Sequence, residues 1–486
     1  MTDKTTATDV DLARETSLGT IAKFATLLVG FVGSIIFARL LGPAGYGAFF
    51  LALSLVEIVE KGAQGWASAS KKRFSEDVTE EYRKKVVGGA IAGLITILFA
   101  GVVVTWLFSD HLEAYTGVEG TTIPVILLII AMVSYTTFKE LLDARGLVGI
   151  SNWGEALQTL FAFPIQLGLV IAGFGVTGML FGYSIGFFLV IPIIVYYVGV
   201  HPAIPSTDVV SRIWSFAKYS TPSGLLGRVY TRVDVIILGL LLGQAAAGYY
   251  EAAYRITIPA TFVSAVAAPA LMSRTSNLSS RNEAFSDDVR NTLSYSSILA
   301  LPIFFGALVL SNELVVTIYG PEYAQAALLL VGLAFYRVVS SQLEVLLNVI
   351  QGVDRPDIFL RLSVVTIAVN VPLGVVLTLE FGPIGVVIST IIAESMRYVG
   401  SLNFVRNWVD ISDLLPKQIG QQVVASAVMA ATVWTALRFL TVRAWPVLVF
   451  LLALGAVVYA TVLLAVSVQH RRLVADVVTM FGVDFY

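Results

Sequence analysis

Residues 86–108 read VVGGAIAGLITILFAGVVVTWLF, 23 residues without one ionisable side chain, entered directly from Arg83, Lys84 and Lys85. At a helical rise of about 1.5 Å per residue, the stretch covers the roughly 30 Å hydrocarbon core of a bilayer. It lacks the polar–apolar alternation that a strand of a membrane barrel needs. It therefore predicts a transmembrane helix with a basic entry.

The same pattern recurs on both sides of this stretch. Fourteen spans are predicted, near 17–38, 46–66, 86–108, 121–142, 152–172, 177–198, 215–240, 246–272, 292–311, 324–350, 358–379, 382–403, 418–438 and 445–468. Composition agrees: 57% of the 486 residues are hydrophobic and 13% are charged, where a soluble domain has about 25% charged. Water is not the main solvent for this chain.

Charge tests the count independently. With the N terminus in the cytoplasm, one side collects Lys71, Lys72, Arg73, Arg83, Lys84 and Lys85, then Lys139, Arg145, Arg212 and Lys218. The same side receives Arg274, Arg281, Arg290, Arg355, Arg361, Arg406, Lys417, Arg471 and Arg472. The opposite links near 109–120, 172–176, 241–245, 312–323 and 380–381 hold no Lys or Arg, with Arg39, Arg438 and Arg443 as the exceptions to the pattern. The positive-inside bias then predicts a multi-pass plasma-membrane protein with both termini cytoplasmic. The polar, acidic start from Met1 to Glu15 is unlike a cleaved signal peptide, so the first span is expected to be retained.

Several functions are disfavoured. With no cysteine there are no disulfides or thiolate metal sites. There is no Walker A sequence and no His-Glu-x-x-His, and His111, His201 and His470 stand far apart. Asp354 and Asp357 flank Arg355 in a short link, which reads as a solvated turn rather than an acid pair. The expectation is a transporter and not an enzyme, with no catalytic residues, no metal, no cofactor and no nucleic-acid partner.

An internal repeat organises the chain. Leu41-Gly42-Pro43-Ala44-Gly45-Tyr46-Gly47-Ala48-Phe49 returns in degraded form as Leu242-Gly243-Gln244-Ala245-Ala246-Ala247-Gly248-Tyr249-Tyr250, an offset of 201. Phe174-Gly175-Val176-Thr177-Gly178 matches Phe381-Gly382-Pro383-Ile384-Gly385 at 207, while Arg145-Gly146 matches Gln351-Gly352 and Gly168 matches Gly374 at 206. A duplicated six-span unit explains all four, and because six is even the copies are parallel repeats. The domain plan is a cytoplasmic tail 1–16, an N-terminal lobe 17–198 (helices 1–6), a cytoplasmic linker 199–214 and a C-terminal lobe 215–403 (helices 7–12). A linker 404–417, helices 13–14 at 418–468 and a cytoplasmic tail 469–486 follow. The fold class is all-α, a polytopic membrane protein of about 14 transmembrane helices in two six-helix lobes plus two peripheral C-terminal helices.

Charged residues inside spans are costly in hydrocarbon and normally face a wet cavity or a partner. Arg228 and Arg232 lie four apart on one face of span 7, with Asp234 about half a turn on. Two cations on one face call for an anion or water. Glu251 with Arg255, Glu394 with Arg397, and Arg337 with Glu344 are spaced as intrahelical pairs, and Glu57 is four residues from Lys61 next to Glu60. These are candidates for ion coupling or for structural pairing. Lys23 in span 1 either snorkels to the interface or joins Arg228 and Arg232 in a cationic surface. Such a surface suits a phosphate or diphosphate, which guanidinium grips in a bidentate fork. Glu57, Asp234 and Glu251 could exchange a proton or Na⁺, coupling a gradient to movement. Pro222, between Ser220-Thr221 and Ser223-Gly224, makes Pro222 and Gly224 the hinge candidates.

At Phe37-Ala38-Arg39-Leu40-Leu41-Gly42-Pro43-Ala44-Gly45-Tyr46-Gly47, followed by Phe49 to Glu57, the chain resembles the polysaccharide flippase family. That family belongs to the multidrug/oligosaccharidyl-lipid/polysaccharide exporter (MOP) superfamily. Gly320-Pro321-Glu322-Tyr323 and the fourteen-span plan add to the resemblance, which covers nearly the whole chain. It implies a V-shaped pair of lobes with spans 1 and 7 lining a cleft. It also implies outward movement, by alternating access, of an oligosaccharide or sugar carried on polyprenyl or dolichyl phosphate or diphosphate, for surface polysaccharide or glycoprotein biosynthesis. Membrane lipids, the lipid-linked saccharide, and glycosyltransferases or a polymerase are the implied partners of a monomer. The sequence departs from the peptidoglycan-precursor flippases, whose first span carries several arginines where Leu27 to Ser34 has none. Asp234 keeps open a cation-coupled drug or small-solute antiporter, and a noncatalytic membrane scaffold is a further alternative.

Overall fold

A computed structural model describes residues 12–76, 79–440, 442 and 445–471, and all regular structure among these residues is helical. The chain divides into two compact units, one ending at Gly248 and the other starting at Tyr249.

The first unit is built from α1 (Leu12–Glu76), α2 (Glu80–Leu107), the short α3 (Ser109–Thr116), α4 (Thr122–Ala144), α5 (Val148–Leu169), α6 (Gly175–Val198) and α7 (Thr207–Leu242). Predicted spans 1 and 2 fall in α1, which is broken at Gly42, where φ is 67° and ψ is 176°. That backbone region is essentially reserved for glycine, and Pro43 next to it cannot continue the helical ladder. Across the break the buried Ser34 and Tyr46 hydroxyls share a 2.6 Å hydrogen bond. A π-helical turn, Val170–Phe174, joins α5 to α6.

Small residues set the packing distances. Gly178, Gly182 and Gly186 form a stripe on α6, and a methyl on Gly182 would meet the Gln166 backbone nitrogen at 2.6 Å. Close approach of this kind substitutes for the hydrophobic drive that lipid cannot supply between helices. The outward faces are apolar: Phe99 on α2 is 72% exposed and Leu107 71%, an exterior suited to acyl chains rather than to water.

The second unit continues α8 (Gln244–Thr257) into a 3₁₀ turn (Ile258–Thr261) and α9 (Phe262–Ser280), followed by α10 (Ser286–Ser296) and α11 (Ala300–Tyr319). Then come α12 (Ala326–Gly352), α13 (Pro356–Phe381), α14 (Pro383–Val405), the single-turn α15 (Ile411–Leu414), α16 (Lys417–Leu437) and α17 (Trp445–Val466). Predicted span 8 is therefore interrupted at Pro259, and span 9 at Ser297–Leu299. At the second break Pro302 has no N–H to offer the Ile298 carbonyl, which instead accepts the Tyr459 hydroxyl of α17 at 2.8 Å.

Ten helical stretches among the described residues are long and apolar enough to cross a membrane. Val29–Glu76 and Val148–Val198, at 48 and 51 residues, are each about twice what one crossing needs. The set leaves out α7 and α14, the helices that carry Arg228, Arg232 and Asp234, and Glu394 and Arg397.

The repeat has a backbone counterpart. Gly243 (φ 85°, ψ −176°) adopts the conformation of Gly42, and Gly382 (φ 69°, ψ −150°) approximates that of Gly175 (φ 52°, ψ −130°). The third match differs: Gly146 has φ 79°, whereas Gly352 ends α12 in helical geometry and the positive φ moves to Asp354 at 58°.

Candidate functional site

Within the first unit, α7 lies antiparallel on the second half of α1. A methyl on Gly65 would meet the Thr221 Cα at 2.5 Å, and the Ser220 hydroxyl donates to the Gly65 carbonyl at 2.9 Å. One turn on, Gly62 faces Leu225, and Gly224 faces the Lys61 carbonyl at 3.6 Å. Pro222 lies within a continuous α7, so the expected hinge pair sits beside this close crossing.

About two turns from that crossing, roughly 12 Å along α1, sits Glu57. Its carboxylate is gripped by Arg232, whose Nε donates to Oε2 and whose Nη2 donates to Oε1 at 2.9 Å. Arg228 Nη1 stands 3.6 Å from the same Oε2. The side chains are 12%, 16% and 26% exposed for Glu57, Arg232 and Arg228, a half-dry setting in which charge is held without being sealed from water.

Two cations share this one carboxylate. A bidentate fork on a carboxylate has the geometry that a phosphate also satisfies. Glu57 thus fills the anion position between the two guanidiniums, and any second anion there requires the carboxylate to yield.

The spacing-based pairing of Glu57 with Lys61 is not what forms. Lys61 Nζ instead donates to Gln64, Gln64 donates to Glu140 at 3.1 Å, and Glu140 also holds Lys71 at 3.1 Å. Glu60 accepts the Thr136 hydroxyl at 2.8 Å, and Lys139 meets Glu155. Sequence spacing missed Thr136, Glu140 and Glu155 because they come from α4 and α5. Arg73 donates to the Arg212 carbonyl at 3.0 Å and Arg145 to the Val198 carbonyl at 2.8 Å, gathering the basic links of this unit at one end.

Lys23 belongs to α1, but its side chain lies outside the described residues. Asp234 is buried at 7% exposure. Two residues beyond Arg232, it projects about 200° round the helix from it.

In the second unit Arg255 Nε stands 3.9 Å from Glu251 Oε2. Arg337 and Glu344 find other partners: Arg337 donates to the Thr257 hydroxyl at 3.2 Å and stacks on Tyr254, and Glu344 accepts the Ser264 hydroxyl at 2.7 Å. Arg397 donates to Ser363 at 2.8 Å, and Glu394 is buried. In the α12–α13 link Arg355 forks onto Asp357 at 2.8 and 3.0 Å. Both side chains are solvent-exposed, and Asp357 lies in the first turn of α13, so the pair is a charged helix start. No group of three or more His, Cys, Asp or Glu positioned for a metal occurs among the described residues.

The family model described as "Polysaccharide biosynthesis protein" matches residues 36–328, more than half of the chain. The chain belongs to the polysaccharide biosynthesis protein family. This polysaccharide biosynthesis protein is similar to the "Probable low-salt glycan biosynthesis flippase Agl15" of Haloferax volcanii, 26% identical over 94% of this chain and 96% of that one. It is also similar to the "Probable flippase AglR" of the same organism, 28% identical over 96% and 98% of the two chains. Its fold is shared with the lipid II flippase MurJ in an inward closed conformation, with a TM-score of 0.79 at 17% identity over 94% and 99%. An inward-facing multidrug transporter of the MOP superfamily gives 0.62 over 79% and 95%. As a member of this family, with the fold it shares with these solved structures, the chain is a multi-pass helical membrane protein of polysaccharide biosynthesis.

Proposed function

We propose that the chain moves a polyprenyl or dolichyl phosphate- or diphosphate-linked oligosaccharide or sugar from the cytoplasmic to the outer leaflet by alternating access. Surface polysaccharide or glycoprotein biosynthesis would draw on the product. The observation that carries this reading is the sharing of Glu57 by Arg228 and Arg232 in a partly hydrated position between α1 and α7. A guanidinium pair with a displaceable carboxylate can exchange it for a phosphorylated headgroup, so the two cations stay paired both before and after the headgroup leaves water. The names of the two Haloferax relatives, both flippases, support the same reading.

The finer parts of the proposal follow from charge and length. Fourteen crossings, both termini in the cytoplasm and a plasma-membrane location agree with the positive-inside pattern and with two helical stretches of double length. A lobe boundary at 199–214, a monomeric state, supply by glycosyltransferases or a polymerase, and drive from Na⁺ or H⁺ complete it. Lys23, Asp234 and Glu251 are proposed as accessory charges along the route.

The test is reconstitution of the full chain in liposomes with a fluorescent polyprenyl-phosphate-linked sugar. Arg228→Ala with Arg232→Ala should abolish translocation; unaltered translocation by the double variant would sink the proposal.

A further inference from the structure

The second unit contains a cavity of about 350 Å³ among α9, α12, α13 and α14, apart from the Glu57 cluster in sequence and in unit. Four charged side chains line it, Arg337, Glu344, Glu394 and Arg397, of which Arg337 and Glu394 are 8% and 3% exposed. Three are pinned from outside. Thr257 and the Tyr254 ring hold Arg337, Ser264 holds Glu344, and Ser363 holds Arg397. Asn348, Gln351 and Ser340 add amide and hydroxyl groups, and Tyr336 and Phe359 add aromatic surface.

The lining is balanced in sign, two cations against two anions. A phosphate or a sodium ion entering it gains on one pair and loses on the other. A sugar hydroxyl differs in kind, because each donates one hydrogen bond and accepts others, so carboxylates and guanidinium or amide groups are satisfied by the same ligand. Aromatic walls suit the C–H face of a pyranose ring, and the volume lies at the small end of ligand pockets. Charges this buried inside a membrane bundle are costly unless the space they line is wet and used.

We infer that this cavity is a saccharide subsite that takes one or two hydroxyl-rich sugar units of the cargo, recognised separately from the phosphate. The inference rests on the flippase reading and names the part of the cargo the second unit reads.

Two fluorescent probes test it in liposomes holding the full chain: a polyprenyl phosphate without sugar, and the same carrier bearing one hexose, drawn from a panel of glucose, mannose and galactose. Glu344→Gln and Asn348→Leu should slow the sugar-bearing probe about tenfold, the value of one lost hydrogen bond, while the bare carrier stays within about twofold. Ser340→Ala, a smaller change on the same wall, should shift the sugar-bearing probe alone and serves if the other variants do not fold. Equal wild-type rates for the two probes, a parallel fall of both in the variants, or no change in either would overturn the inference. The Arg228→Ala, Arg232→Ala double variant is run beside them: its failure to stop the bare carrier counts against the phosphate reading and leaves the sugar-selective result standing on its own.

Discussion

Gly47 and Gly248 meet backbone to backbone: a methyl on Gly47 would lie 2.7 Å from the Gly248 nitrogen, and one on Gly248 would lie 3.1 Å from the Gly47 nitrogen. The contact is reciprocal, since Gly47 also abuts the Gln244 carbonyl and Gly248 the Pro43 carbonyl. Both pairs obey the offset of 201 that relates the two glycine-rich motifs. Such i-to-j and j-to-i matching is what a local two-fold axis produces. The two motifs thus touch each other through equivalent atoms, which explains why glycine occupies the same place in both.

Gly47→Ala or Gly248→Ala should each lower stability by about 1–3 kcal/mol, the usual range for overpacking, because the obstacle is backbone that cannot rotate aside. Gly227→Ala, which has open space around it, should be neutral or gain up to about 1 kcal/mol from helix propensity. Thermal unfolding of the detergent-solubilised chain checks both.

Arg232→Ala should cost more than Arg228→Ala. The first removes two charge-assisted hydrogen bonds from a carboxylate that is largely buried, about 1.5–3 kcal/mol. The second removes a 3.6 Å contact at a more exposed site, about 0.2–1 kcal/mol. A double-mutant cycle with Glu57→Gln should place most of the coupling on Arg232; equal couplings would contradict the geometry.

Glu57→Gln should tighten binding of pyrophosphate to the purified chain by about tenfold while slowing transport, since the internal anion no longer competes for the two guanidiniums. Competition against a fluorescent polyprenyl diphosphate measures it. Weaker binding would mean that the carboxylate helps to hold the ligand.

His470 gives a pH prediction outside the spans. Its ring is buried against Tyr295 and bonded to Ser467 at 2.8 Å, and burial lowers its pKa from the usual 6.5. The unfolded chain therefore binds the proton more readily. Stability supplied by the neutral ring is complete above about 6.5 and is lost as pH falls from there through the lower folded value. Unfolding temperatures between pH 7.5 and 5 should fall in the wild type and fall less in His470→Gln.

The helices were legible because each is a local property. An uncharged run such as Val86 to Phe108 needs no knowledge of the rest of the chain to be read as a bilayer-length helix, and α2 runs to Leu107. Prolines blurred what hydropathy alone could see: Pro259 and Pro302 interrupt apolar runs whose composition is continuous. The Gly42 and Gly243 turns were visible as a repeat, since each demands a conformation that only glycine adopts cheaply.

Partners were another matter. Spacing along one helix offered Lys61 to Glu57 and Glu344 to Arg337, whereas the folded chain gives Arg232 to Glu57 and Ser264 to Glu344. Sequence alone determined which stretches are long and apolar enough to cross lipid and which charged side chains fall within them, because hydropathy and charge accumulate residue by residue. Tertiary structure alone decided which opposite charges meet and which polar groups enclose a cavity, because those depend on distances between helices remote in sequence, set by where small residues let backbones close.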